Sequence, residues 1–150
     1  MKCRLMMWVL FALSASLACV CSAVTTYTKT VDGITWTYTV SSDNTATVGS
    51  GDFSSGRAVP KSTAGAIIIP RSLNGHKVVA IADNAFDQCA SIVSVEIPDT
   101  VTSIGQYAFS YCESLESVNI PDSMEEIGGN AFIMCRSMRG EMTLPKGLKK

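Results

Sequence analysis

The sequence predicts a solenoid of 23-residue repeats, built mostly of short β-strands with short helical turns and closed by a small N-terminal β-hairpin cap. Three observations predict it. Cys89, Cys112 and Cys135 stand 23 residues apart, and so do Phe86, Phe109 and Phe132. Residues 94–116 laid over 117–139 agree at 11 of 23 positions, Ile97/Ile120, Pro98/Pro121, Ile104/Ile127 and Gly105/Gly128 among them. Each copy opens with alternating apolar residues that run into a proline, which has no N–H to give a neighbouring strand.

The chain begins with a stretch that is set aside before the fold. Lys2 and Arg4 precede the uncharged, mostly apolar run Leu5 to Ala18, and Ser22-Ala23 offers a small-residue cleavage point. Residues 1–23 therefore read as a secretory signal, and the run is short for a membrane span. Lipidation at Cys19 is a minority alternative, because Leu17 stands one place away from where a lipoprotein signal needs it. Removing the signal leaves three cysteines, an odd number that does not read as a disulfide framework.

Residues 24–48 read as the cap. Tyr27, Lys29 and Val31 alternate up to Asp32-Gly33, a hairpin turn pair, and Ile34, Trp36, Tyr38 and Val40 resume the alternation. Ala46 and Val48 add a third strand, and Trp36 is the plug expected to cover the first coil. Residues 49–65, rich in Gly and Ser around Pro60, read as a loose linker.

The repeats occupy residues 66–150. Ile67-Ile68-Ile69-Pro70 matches Val95-Glu96-Ile97-Pro98 at an interval of 28, with Asn74-Gly75 marking the extra turn. In Ser94-Val95-Glu96-Ile97 the alternation sends Val95 and Ile97 inward and Ser94 and Glu96 outward. Val101 and Ile104 bury the return stretch, Gly105 permits a corner, and one helical turn places Ala108, Phe109 and Cys112 inward. Met142-Thr143-Leu144-Pro145 opens a further copy that stops at Lys150, so the last repeat reads as incomplete.

The stretch Leu115 to Met124, followed by Ile127-Gly128, Ala131-Phe132 and Cys135, resembles the BspA-like leucine-rich repeat, and the same pattern stands at 92–112. The resemblance implies a leucine-rich repeat solenoid on a secreted or surface protein, with adhesion or host-protein binding as the common role. It brings no catalytic residues with it.

The composition excludes several other classes. Twelve basic against thirteen acidic residues leave net −1, with no basic footprint for nucleic acid. Three cysteines with His76 invite a zinc site, but zinc gathers its ligands tetrahedrally at about 2.3 Å, whereas a ladder spreads them about 5 Å apart in a line. The thiols read as small buried hydrophobes; a disulfide between adjacent coils satisfies the Cα distance, although in-register side chains often miss its dihedral. His76 belongs to a surface turn, and Glu125-Glu126 diverge on an extended segment, so no acid–base pair forms. No catalytic, cofactor-binding or metal-binding residues are assigned, and no cofactor is expected.

What remains is a candidate partner-binding face: Ser94, Glu96, Ser117, Asn119, Glu141 and Thr143 on the solvent side of one sheet, with Tyr107 and Tyr111 as alternative contacts. The expected partners are extracellular or surface proteins, with membrane contact only through the signal or a lipid anchor. The expected function is non-catalytic protein binding or adhesion outside the cell. Its alternatives are an assembly protein stacking through an open coil edge, or a truncated fragment with no function of its own.

Overall fold

The structure, a computed structural model, describes residues 24–52, 56–139 and 142–149. The export signal read over 1–23 and Glu141 lie outside the described residues. Among the described residues there are ten strands: β1 Thr26–Val31, β2 Ile34–Val40, β3 Thr45–Val48, β4 Gly65–Ile68, β5 Ser72–Leu73, β6 His76–Ile81, β7 Ile92–Glu96, β8 Ser103–Ile104, β9 Ser117–Asn119 and β10 Glu126–Ile127.

Two sheets enclose the core. One runs β1-β2-β3-β6-β8-β10, with β5 attached to β6; the other runs β4-β7-β9. β1, β2 and β3 form an antiparallel meander, and Asp32 (φ 49°) and Gly33 (φ 79°) make the left-handed pair that a two-residue hairpin requires. From β3 onward the long path is parallel, with Ala80 opposite Ser103 and Ile104 opposite Ile127. In the second sheet Val95 lies opposite Val118. Each parallel pair beyond β7 joins residues 23 apart, so one coil's side chains are copied directly onto the next.

Copying makes columns. Phe86, Phe109 and Phe132 stack with centroids 4.8 and 5.2 Å apart and planes within 3° of parallel. That spacing is the strand spacing of a sheet, about 4.8 Å. The ladder therefore sets the ring separation, and stacked rings add about 0.5–1.5 kcal/mol per pair beyond their burial. Trp36 ends the column edge-on to Phe86, at 6.2 Å and 77°, and is 1% exposed.

The short helical turns expected around residues 106–112 are not helices. The amides of Tyr107, Phe109 and Tyr111 donate to the carbonyls of Gly129, Ala131 and Ile133 in the next coil, while Ser110 and Cys112 donate three residues back. Alternate amides are thus recruited across the coils, and an i→i−4 series cannot propagate. Asn84, Phe86 and Gln88 make the same bonds to Gln106, Ala108 and Ser110. Ala108, Phe109 and Cys112 nevertheless point inward and are fully buried.

The stretch 49–65, read as a loose linker, is firmly held over 56–59. Ala58 and Val59 are buried, the Thr37 amide donates to the Ala58 carbonyl, and the Ala58 amide donates to Ala85. The Arg57 guanidinium donates to the Asp87 carbonyl at 2.8 Å and lies 3.7 Å from its carboxylate, which also accepts from the Ser110 hydroxyl. Glycine content suggested freedom; burial of Ala58-Val59 and this ion pair remove it.

At the corners, glycine is a steric requirement. A Cβ on Gly128 would lie 2.5 Å from the Gln106 nitrogen, and one on Gly105 would strike the Asp83 backbone. Neighbouring Gly129 meets nothing within 4 Å. Gly128→Ala is therefore expected to lower unfolding stability by about 1–3 kcal/mol. Gly129→Ala should stay within about 0.5 kcal/mol of the parent in the same urea titration. Equal effects would contradict the close approach of coils at this corner.

Candidate functional site

The outer face of β4-β7-β9 carries most of the predicted binding residues. Ile67, Val95 and Val118 point to the core, and register places Ala66, Ser94 and Ser117 in one outward row and Ile68, Glu96 and Asn119 in the next. Together these rows line a shallow open groove. Glu96, Ser117 and Asn119 are exposed and Ser94 is half-buried. Thr143 is exposed but lies in a strand-free segment beside Asp122 and Lys146, away from the groove lining. Glu141 lies outside the described residues.

Two members of the face were not anticipated. Ile68 is 63% exposed and sits directly beside Glu96, with Ala66 beside Ser94. Three consecutive isoleucines at 67–69 blur the local alternation, and the signal that finds Ile68 is the repeat alignment, which sets it level with outward-facing Glu96. Asn119 in turn is partly committed to the fold. Its side-chain oxygen accepts from the Ile97 amide at 2.6 Å, and its amide donates to the Ile97 carbonyl at 3.2 Å. The side chain thus completes a ladder that its own short strand leaves unfinished. Among the described residues Glu96 has no ion pair, whereas Asp99 nearby is joined to Arg71.

The cysteine column is a feature of the core. Cys89 and Cys112 are buried and Cys135 is half-buried, all as free thiols. The Cys112 and Cys135 sulfurs donate to the Phe86 and Phe109 carbonyls at 3.2 and 3.1 Å, so each thiol helps tie its coil to the preceding one. Burial pushes the Cys89 thiol up from 9.0 to about 11, and raises Cys112 and Cys135 as well. His76 lies at the start of β6, where Nδ1 approaches the Asn44 carbonyl at 3.3 Å. Among the described residues no group of three or more His, Cys, Asp or Glu is placed to hold a metal.

Tyr107 and Tyr111 lie on a third face, and both have left-handed backbones at φ 54°. The same conformation recurs one coil away at Asn84 and Asn130, and at Gln88 and Met134. Asn tolerates it; for the other residues it costs about 1–2 kcal/mol. The Tyr107 hydroxyl accepts from the Asn130 amide at 3.0 Å. Gln88 is held at both ends, its oxygen by Lys61 at 2.8 Å and its nitrogen by Asp87 at 2.9 Å.

The BspA type leucine rich repeat region (6 copies) matches residues 67–150, more than half of the chain. The chain belongs to the BspA-type leucine-rich repeat family. Solved structures of bacterial leucine-rich repeat proteins agree with the fold. One from Bacteroides capillosus superposes with a TM-score of 0.67 at 31% identity, covering 82% of this chain and 86% of that one. The Treponema pallidum leucine-rich repeat protein gives 0.65 at 32%, over 75% of this chain and 49% of its own. A leucine-rich cell surface protein of Faecalibacterium prausnitzii gives 0.57 at 29%, over 75% and 29%. The chain thus spans about half the length of the Treponema protein and less than a third of the Faecalibacterium one. No curated protein matches it.

The raised thiols set a direction for pH dependence. Below the unfolded-state thiol pKa both states hold the proton. Between about 9 and 11 the unfolded chain ionises first, so stability falls as pH rises. The urea midpoint should decline over that window, and its difference from a Cys89→Ala variant should shrink. At pH 8, half-buried Cys135 should react with a thiol reagent before Cys89 or Cys112.

Proposed function

We propose that this chain is an exported, non-catalytic protein whose leucine-rich repeats bind extracellular or surface proteins, in the service of adhesion, through the outer face of β4-β7-β9. The observation that carries the reading is the continuous outward surface formed by Ile68, Glu96, Ser117 and Asn119, an apolar contact beside an unpaired carboxylate and small polar groups. Stacked repeats extend such a surface by one row per coil. Membership of the BspA-type family and the surface location stated for the Faecalibacterium protein support export and surface display.

In this reading the repeat unit is 23 residues, and the N-terminal strands are a cap that keeps water from the first coil. Trp36 covers Phe86, and the five-residue insertion around Asn74-Gly75 meets the cap, where Asn74 donates to the Tyr38 hydroxyl at 2.7 Å. Assembly through coil edges is the second reading. It is favoured by β1, whose residues are nearly all exposed and whose outer edge pairs with no strand among the described residues. Light scattering separates the two: a monomer over a wide concentration range removes assembly.

The test of binding is a panel of immobilised extracellular proteins probed with residues 24–150. A bound partner should lose about tenfold in affinity when Glu96→Arg and Ser117→Arg are combined, a change that leaves the buried rows intact. Binding that ignores both substitutions would place the interface elsewhere. No binding to any member of the panel would count against the function itself.

A further inference from the structure

A second groove, which shares no lining residue with that of the β4-β7-β9 face, lies between the first two coils and is lined by Lys61, Gln88, Ala90, Tyr111 and Glu113. Its central feature is the Tyr111 ring, 46% exposed on a left-handed backbone. The backbone conformation there is dictated by the coil, because the Tyr111 amide must reach the Ile133 carbonyl. Glycine or asparagine would adopt it with less strain. At several of the strained positions the side chain has a place in the fold: Gln88 is bonded at both ends, Tyr107 is bonded to Asn130, and Asn84 and Asn130 are asparagines, whereas Tyr111 and Met134 are exposed. The Tyr111 side chain has no hydrogen bond or ring contact among the described residues. A half-exposed aromatic side chain that the fold leaves without a polar or ring partner is free to stack on a ligand.

The groove's chemistry narrows its occupant. Lys61 and Glu113 put one positive and one negative charge on its rim, so neither a polyanion nor a polycation is selected. Gln88 is immobilised by Lys61 and Asp87 and presents a rigid wall. An exposed aromatic face with a carboxylate and an ammonium beside it matches a neutral ligand with an apolar face and a hydroxyl-rich edge. Pyranose sugars have that form. We propose that this groove is a carbohydrate subsite in which Tyr111 stacks on a sugar ring while Glu113 accepts from its hydroxyls and Lys61 donates to them. Met134, 42% exposed one coil further on, extends the platform for the next sugar unit.

The test uses residues 24–150 on an array of short neutral oligosaccharides of glucose, galactose and mannose, followed by calorimetry with whichever is retained. Tyr111→Phe should keep the affinity, and Tyr111→Asn should lose it by about tenfold or more, the factor that about 1.4 kcal/mol of stacking supplies. Glu113→Gln should weaken binding to a lesser degree. The urea midpoint of Tyr111→Asn should equal or exceed that of the parent, because the backbone strain is relieved. Its binding to any protein partner of the β4-β7-β9 face should be unchanged, which keeps this outcome separate from that of the protein-binding reading. No retained oligosaccharide, undiminished binding by Tyr111→Asn, or a lowered midpoint for that variant would each overturn the proposal.

Discussion

Each coil leaves alternate amides of its turn region without a partner of its own, and only the next coil's carbonyls can meet them. Tyr107, Phe109 and Tyr111 reach across to Gly129, Ala131 and Ile133, as Asn84, Phe86 and Gln88 reach to Gln106, Ala108 and Ser110. Buried amides left unpaired are costly, so successive coils are bound to hold the same path at the same height. The columns follow from that constraint. Phenylalanine rings lie parallel because identical positions are held one strand spacing apart, and the cysteine thiols find the carbonyl of the coil before. Gly105 and Gly128 lack side chains because the preceding backbone occupies the space where a Cβ would stand.

A regular array has an irregular beginning, and here it is assembled from three pieces. The meander supplies Trp36 to end the phenylalanine column and β3 to pair with β6. The insertion at 72–76 folds back as β5 and reaches Tyr38 through Asn74. The segment 56–59 then fills the gap between meander and first coil, donating to Ala85 and accepting from Thr37. Asp87 illustrates the adjustment. Its counterparts in the next coils are Ser110 and Ile133, yet in the first coil a carboxylate is retained, because Arg57 and Ser110 both turn toward it. The ion pair is largely buried and holds the segment 56–59 in one position.

What could be read from the sequence was what repeats. The phenylalanine and cysteine columns, the strand-ending prolines, the corner glycines, the Asp32-Gly33 hairpin and the extra turn at Asn74-Gly75 all carry local or periodic signals, and the structure places each where its chemistry requires. The buried segment Arg57-Ala58-Val59 carried no such signal, since it copies no neighbour and its surroundings are rich in glycine and serine. The outward turn of Ile68 shows only through its alignment with Glu96, because apolar residues on both sides blur the local alternation. The helical turn failed for a different reason: local spacing suited a helix, but pairing between coils claimed the amides that a helix needs. Of the predicted face, Ser94, Glu96, Ser117 and Asn119 come together through strand register, whereas Thr143 stands apart because no strand forms around it.

The two surfaces described differ in how they are built. On the β4-β7-β9 face alternation sets the outward residues, and of these Asn119 is also bonded into the fold through Ile97. On the turn face each side chain sits on a backbone whose shape is imposed by the neighbouring coil. Both depend on the bonds between coils, and native-state hydrogen exchange of residues 24–150 tests those bonds most directly. The Phe86, Phe109 and Tyr111 amides should exchange only through global unfolding, far more slowly than the exposed Asp43 amide in the β2–β3 turn. Exchange of those three at the rate of Asp43 would contradict the account.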